Sequence, residues 1–168
     1  MSTVSDTPSP APDALRQFVD DWLTETPIKP PPGAYAAVAG NVGLTLYRDA
    51  RFQVQLWTFP PNSRVSDHAH PGVDTWLVRV NGKFRLRKNG AYLSPADAER
   101  TTWRGMRTWM TRIGPDDVHG VEIGEAGGSF LSITERIDGA EPVSVHMAWE
   151  GAPLSEDHAV QLGAVSWA

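Results

Sequence analysis

An all-β sandwich or barrel behind one N-terminal helix is the fold class that the sequence predicts, and three observations carry it. Apolar and polar residues alternate with period two through most of the chain after residue 33. The 15 Gly and 14 Pro residues cut that pattern into short runs bounded by turns. A single run near the N-terminus repeats instead at helical spacing.

Residues 1–12 are rich in Ser, Thr and Pro, cannot bury apolar area and read as a disordered tail. Leu15, Phe18, Val19, Trp22 and Leu23 then fall on one helical face, with Asp13 as N-cap and Pro27 as stop, which predicts an amphipathic helix over 14–25. Pro30-Pro31-Pro32-Gly33 is a stiff connector. A strand is expected near 44–47. In the next run Phe52, Val54, Leu56 and Thr58 alternate with Gln53, Gln55 and Trp57, the pattern of a half-buried strand that Pro60-Pro61-Asn62 ends. Asp74, Trp76, Val78 and Val80 share a face of a further strand. Asn81-Gly82 predicts a two-residue hairpin turn there, with Phe84 and Leu86 continuing the apolar face. A second Asn-Gly pair at 89 and 90 turns the chain again, and Ser94-Pro95 opens a helical or looped insert reaching about Arg104. Runs at 108–113, 118–123 and 130–137 read as three strands separated by Gly- and Pro-rich turns, and 143–149 as another. The total is about eight short strands around one core, and no internal repeat is present.

The 168 residues suit one domain with a substantial core. With no cysteine there are no disulfides and no thiolate ligands or nucleophiles, so a metal site must be built from His, Asp and Glu; the same absence suits the cytoplasm. A net charge of -5 without a basic cluster argues against a nucleic-acid partner, and no stretch approaches 18 consecutive apolar residues, so neither membrane insertion nor secretion is signalled. Motifs for a nucleophile elbow, a phosphate-binding Gly-rich loop and a zinc-protease helix are absent, which leaves hydrolase, nucleotide-binding and metalloprotease readings without support.

Two of the five His residues stand at 68 and 70, in Ser66-Asp67-His68-Ala69-His70-Pro71-Gly72. On a strand, positions i and i+2 face the same way, so both imidazoles can converge on one ion. Asp74 follows four residues later at the entry to the next strand, and His119 opens the later run containing Val121 and Ile123. Three imidazoles, with or without the Asp74 carboxylate, make an N/O site for iron, manganese, nickel, copper or zinc.

The segments 62–82 and 114–119 resemble the two conserved motifs of the cupin superfamily. His68, His70 and Gly82 match the first motif, with Asp74 where Glu is usual and Asn62 replacing the leading Gly; Pro115 and His119 match the second, with Asp116 at a Gly place. The resemblance covers roughly residues 44–137. It implies a cupin jelly-roll β-barrel with one divalent transition metal inside, the barrel spanning 34–168 and preceded by helix and connector over 13–33. From His70 to Gly82 is one residue more than the usual motif allows, and that spacing is similar to the thiol dioxygenases, in which three His bind Fe(II) without a carboxylate. Val118-His119-Gly120-Val121-Glu122 resembles a run of the cysteine dioxygenases, and Val143-Ser144-Val145-His146 their downstream Ser-x-His segment, although Ala148 stands where those enzymes have Tyr. Tyr47-Arg48 is similar to their carboxylate-binding Arg region. A diketone-cleaving cupin oxygenase has a similar His-Gly segment and a Phe at the position of Phe130.

The expected activity is therefore a mononuclear non-haem cupin oxygenase acting on a small thiol or chelating diketone with O₂. His68, His70 and His119 are its metal ligands, Fe(II) the expected metal, and zinc, manganese or nickel the alternatives. Asp74 is expected to face the cavity, where it orients substrate or joins the ligands. In the second case the protein is a four-ligand cupin acting as isomerase, decarboxylase or lyase. A third reading is a cupin that senses a small ligand without turnover. Trp76, sharing parity with Asp74, is a candidate substrate-binding residue beside Arg48. His146 is either a proton carrier near the site or a structural strand residue, the second being favoured. Trp103 and Trp109 read first as core. A homodimer is the expected assembly, because exposed strand edges must be covered.

Overall fold

Asp13 begins helix α1 (Ala14–Thr24), its carboxylate accepting from the free N–H groups of Leu15 at 3.1 Å and Arg16 at 3.4 Å. The computed structural model describes residues 13–25, 35–38, 41–137 and 145–146. The tail at 1–12, the Pro30–Gly33 connector and most of the expected strand at 143–149 lie outside these residues. Among the described residues ten strands follow the helix: β1 (Tyr35–Val38), β2 (Asn41–Arg48), β3 (Phe52–Phe59), β4 (Arg64–Ala69), β5 (Val73–Lys88), β6 (Ala91–Tyr92), β7 (Glu99–Trp103), β8 (Met106–Ile113), β9 (His119–Arg136) and β10 (Val145–His146). All described pairings are antiparallel. No described helix is long and apolar enough to cross a membrane.

Two long strands organise the fold. The first half of β5 and the second half of β9 lie in a layer ordered β1-β2-β3-β9-β5-β8-β7; their other halves continue into a second layer with β4, β6 and β10. Between the layers β5 is irregular at Arg79/Asn81 and at Gly82/Phe84. Here Gly82, at φ 83°, pairs with Gly128, beside Gly127 at φ 70°. A Cβ on Gly82 would run into the Gly127 carbonyl, and one on Gly128 would come within 2.6 Å of the Phe84 ring. Phe59, Phe84 and Phe130 fill this corner, with centroids 4.8 to 6.3 Å apart.

The hairpin expected at Asn81-Gly82 is thus absent. A type I′ turn needs positive φ at both central residues, whereas here Gly82 has it and Asn81 does not, and both pair across to β9. At Asn89-Gly90 both φ values are positive, 49° and 84°, and the chain does reverse into β6. The runs at 118–123 and 130–137 likewise join into the one strand β9, its glycines bending the ladder without ending it. The insert expected to reach Arg104 shrinks to a single 3-10 turn (Pro95–Asp97); β7 follows, and Arg104-Gly105, both at positive φ, supply a tight turn into β8.

Folding the sheet produces two cores. Trp57, Phe59, Leu77 and Ile113 of the first layer meet Leu86, Val121 and Ile123 of the second, which defines the inner face. On the outer face of the first layer, Leu46, Val54, Trp76, Val78, Met110, Leu131 and Ile133 pack against Leu15, Val19, Trp22 and Leu23 of α1. The first layer is consequently buried on both sides.

Candidate metal centre

Two strands of the second layer carry the histidines. In the pairing of β4 with β9, Val65 lies opposite Val121 and His68 opposite His119, so β4 has one residue more than its partner and a bulge between. That bulge turns His68 to the inner face occupied by Val65, Val121 and Ile123. His70, two residues on and just past the end of β4, comes to the same side. The ring centroids lie 4.7 Å apart for His68 and His70, 4.1 Å for His68 and His119, and 5.4 Å for His70 and His119. One ring nitrogen from each falls within 4.8 Å of the other two.

For His68 and His119 the hydrogen bonds fix which nitrogen is free to coordinate. His68 Nδ1 is 2.7 Å from the Ser66 carbonyl oxygen, and His119 Nδ1 is 3.4 Å from that of Asp117. A carbonyl only accepts, so both Nδ1 atoms carry the proton and both Nε2 atoms keep their lone pairs. Burial pushes the His119 imidazole well below its ordinary pKa, and the neighbouring His68 and His70 rings push it further the same way. Neutral imidazoles oriented by backbone acceptors are the form that binds a divalent first-row metal, so this donor set fits one.

Asp117 shapes the approach to His119. Its carboxylate accepts from Gly114 N at 2.7 Å and Asn89 Nδ2 at 2.7 Å, and pairs with Lys88 Nζ at 2.9 Å. This ties the loop between β8 and β9 to the Asn89-Gly90 turn. The match to the second motif thus reflects a loop whose shape is set by side chains, with Asp116 exposed where glycine is usual.

Asp74 does not join the histidines. After the turn closed by Val73 N and the His70 carbonyl at 3.2 Å, Thr75 and Leu77 take the inner face, and Asp74, Trp76 and Val78 take the outer one. Arg112 holds the Asp74 carboxylate through Nε at 3.1 Å to each oxygen and through Nη2, while its Nη1 reaches Asp13 at 2.9 Å. The expectation that Asp74 faces the cavity is corrected accordingly: it anchors the cap of α1 to the sheet. Trp76 shares its face and lies under α1, with the Arg16 guanidinium 5.3 Å from its ring centroid, so it lines no inner surface. Trp103 belongs to the same outer core.

Arg48 ends β2 on the inner side, opposite Gln53, and its Nε donates to Gln53 Oε1 at 2.7 Å. The backbone of His146 pairs with His68 across β10 and β4; its side chain lies outside the described residues. What the sequence reading missed is the inner face of the first layer. One cross-strand row runs Thr45, Gln55, Ser132, Leu77, Thr111, and the next Arg48, Gln53, Thr134, Thr75, Ile113. Gln55 donates to Thr45 at 3.2 Å, while Thr75 and Ser132 each lie 3.2 Å from the Thr134 hydroxyl. The available signal was Gln53 and Gln55, the polar positions of a strand whose two faces are both covered.

No protein-family model matches the chain, and no curated protein matches it. Among solved structures, KdgF from a Halomonas species is 13% identical with a TM-score of 0.49, the match covering 61% of this chain and 84% of that one. An RmlC-like cupin from Shewanella frigidimarina is 14% identical at 0.48, covering 62% and 84%. A sugar phosphate isomerase of the cupin superfamily from Silicibacter pomeroyi is 18% identical at 0.46, covering 75% and 85%. Among the described residues the chain is an antiparallel jelly-roll sheet behind one N-terminal helix, with three histidines on its inner face.

Proposed function

We propose that this chain is a mononuclear three-His metal cupin that oxygenates a small chelating molecule, a thiol or a 1,3-diketone, with Fe(II) as the working metal. The observation that carries the reading is the donor set: three inner-face imidazoles with mutually close ring nitrogens, and the carboxylate that a four-ligand cupin would use engaged by Arg112 on the opposite face. Iron(II) held by His68, His70 and His119 would supply Lewis acidity and the electrons that activate O₂. For a thiolate the stoichiometry closes without a reductant: R–S⁻ and O₂ give R–SO₂⁻, the sulfur being oxidised and both oxygen atoms retained.

The chain's own residues do the rest. Ser66 and Asp117 carbonyls orient His68 and His119, so the metal-binding nitrogens need no reorganisation. Arg48, at the end of the row that contains Gln53 and Thr134, supplies a cation for a substrate carboxylate. Burial of His68 and His119 limits water at the reacting centre.

The test is oxygen uptake by iron-loaded protein offered small thiols and 1,3-diketones in turn. Substrate-dependent uptake that disappears in His119→Ala is expected. A protein that binds stoichiometric iron and consumes no oxygen with either class contradicts the oxygenase reading.

A further inference from the structure

The barrel interior is not uniform, and the gradient has a direction. At the corner the inner side is aromatic, with Phe59, Phe84 and Phe130 in mutual contact. Away from the corner the same face carries Thr45, Gln53, Gln55, Thr75, Thr111 and Thr134, each no more than 7% exposed. At Thr111 this polar end is tied to the strand that carries His119. Lys88, the cross-strand neighbour of His119, donates through Nζ to the backbone carbonyl of Arg112 at 3.0 Å, next to Thr111. The short loop from Ile113 to His119 joins the same two places.

Burying hydroxyls and amides costs free energy unless each finds a partner. Most of these groups are partly served by one another, as the bonds among Gln55, Thr45, Thr75, Thr134 and Ser132 show. Thr111 is not: it is 5% exposed, and its Oγ1 is buried with no hydrogen-bond partner among the described residues. Pairing with Leu77 sets it on the inner face. Valine would fill the same volume without an unmet hydroxyl.

We infer that this wall is a subsite for the hydroxyl- or amide-bearing part of the ligand, with the Thr111 hydroxyl as its hydrogen-bonding partner. The inference rests on the proposed reading of the histidines as a site for a metal-chelating thiol or diketone, and adds what the remainder of that molecule must be. A hydrocarbon remainder would leave Thr111 unmet and cover the other polar groups; a hydroxylated one satisfies them. Sites built this way discriminate strongly against analogues lacking the polar group.

Two thiols that differ by two hydroxyl groups, 1-thioglycerol and 1-propanethiol, test this on cobalt(II)-loaded protein through the thiolate-to-cobalt absorption band, without turnover. Thioglycerol should half-saturate at a concentration about 10-fold lower, the worth of one or two net hydrogen bonds. Thr111→Val should remove about 5-fold of that preference, leave the propanethiol titration unchanged and melt no lower than the parent, having lost an unpaired buried hydroxyl. Thr111→Ser should keep the preference, and serves as the comparison if the valine variant folds poorly. Equal affinity for the two thiols, or a preference unmoved in Thr111→Val, overturns the subsite and leaves the metal reading standing. Cobalt-loaded protein that responds to neither thiol overturns the thiol reading and the subsite together.

Discussion

His119 combines three properties: burial, a neutral ring, and two further imidazoles within 5.4 Å. Its depressed pKa makes a prediction for metal-free protein. The folded state binds the His119 proton less readily than the unfolded chain, so stability is full above the ordinary His value of about 6.5 and declines as pH falls from there towards the folded value. Melting followed from pH 7.5 to 5.5 should show that decline, and His119→Gln should flatten it; an unchanged slope in the variant contradicts the assignment. His68→Ala and His70→Ala should lose metal while melting within a few degrees of the metal-free parent, because the apolar cores carry most of the stability. Near-full metal content in either variant removes that residue from the site. These residues were legible in the sequence because a His-x-His pair on a strand constrains its own geometry. The facing of Asp74 was not, since parity says which residues share a side and leaves open which side is inner.

At the scale of elements, identical dipeptides had different fates. Asn89-Gly90 reverses the chain where the pairing of β5 with β9 stops at Lys88 and His119, whereas Asn81-Gly82 sits where β9 continues past it and supplies partners on both sides of the irregularity. A turn signal read locally cannot see that third strand. The glycines of this corner are predicted to be the least replaceable backbone positions: Gly128→Ala, forced against the Phe84 ring, should lower stability by about 1–3 kcal/mol in denaturant titration. A loss below a few tenths would show that the corner relaxes freely. Helix α1 was readable from its spacing and cap, but its mooring was not, because Asp13, Asp74 and Arg112 are far apart in sequence. Asp74→Asn should cost about 1 kcal/mol, given the half-exposed Arg112, and raise amide exchange within α1. Unchanged exchange there would mean that apolar contacts alone hold the helix.

Across the whole molecule, the first layer is covered by α1 on one side and by the second layer on the other. This explains both what was readable and what was not. Alternation along β3 announced a strand, yet Gln53 and Gln55, which would face water on a sheet covered on one side, are buried at 5% and 6% exposure. The outer face is apolar under the helix, whereas the inner face combines an apolar core with buried Thr and Gln side chains. On the proposed reading the inner-face histidines hold the metal, while Asp74 belongs to the outer face. The most direct measurement is the metal content of iron-loaded wild type, Asp74→Asn and His119→Ala, prepared side by side. The account predicts about one iron per chain in the first two and at least about 10-fold weaker retention in the third. Loss of iron from Asp74→Asn, or its full retention by His119→Ala, would contradict it.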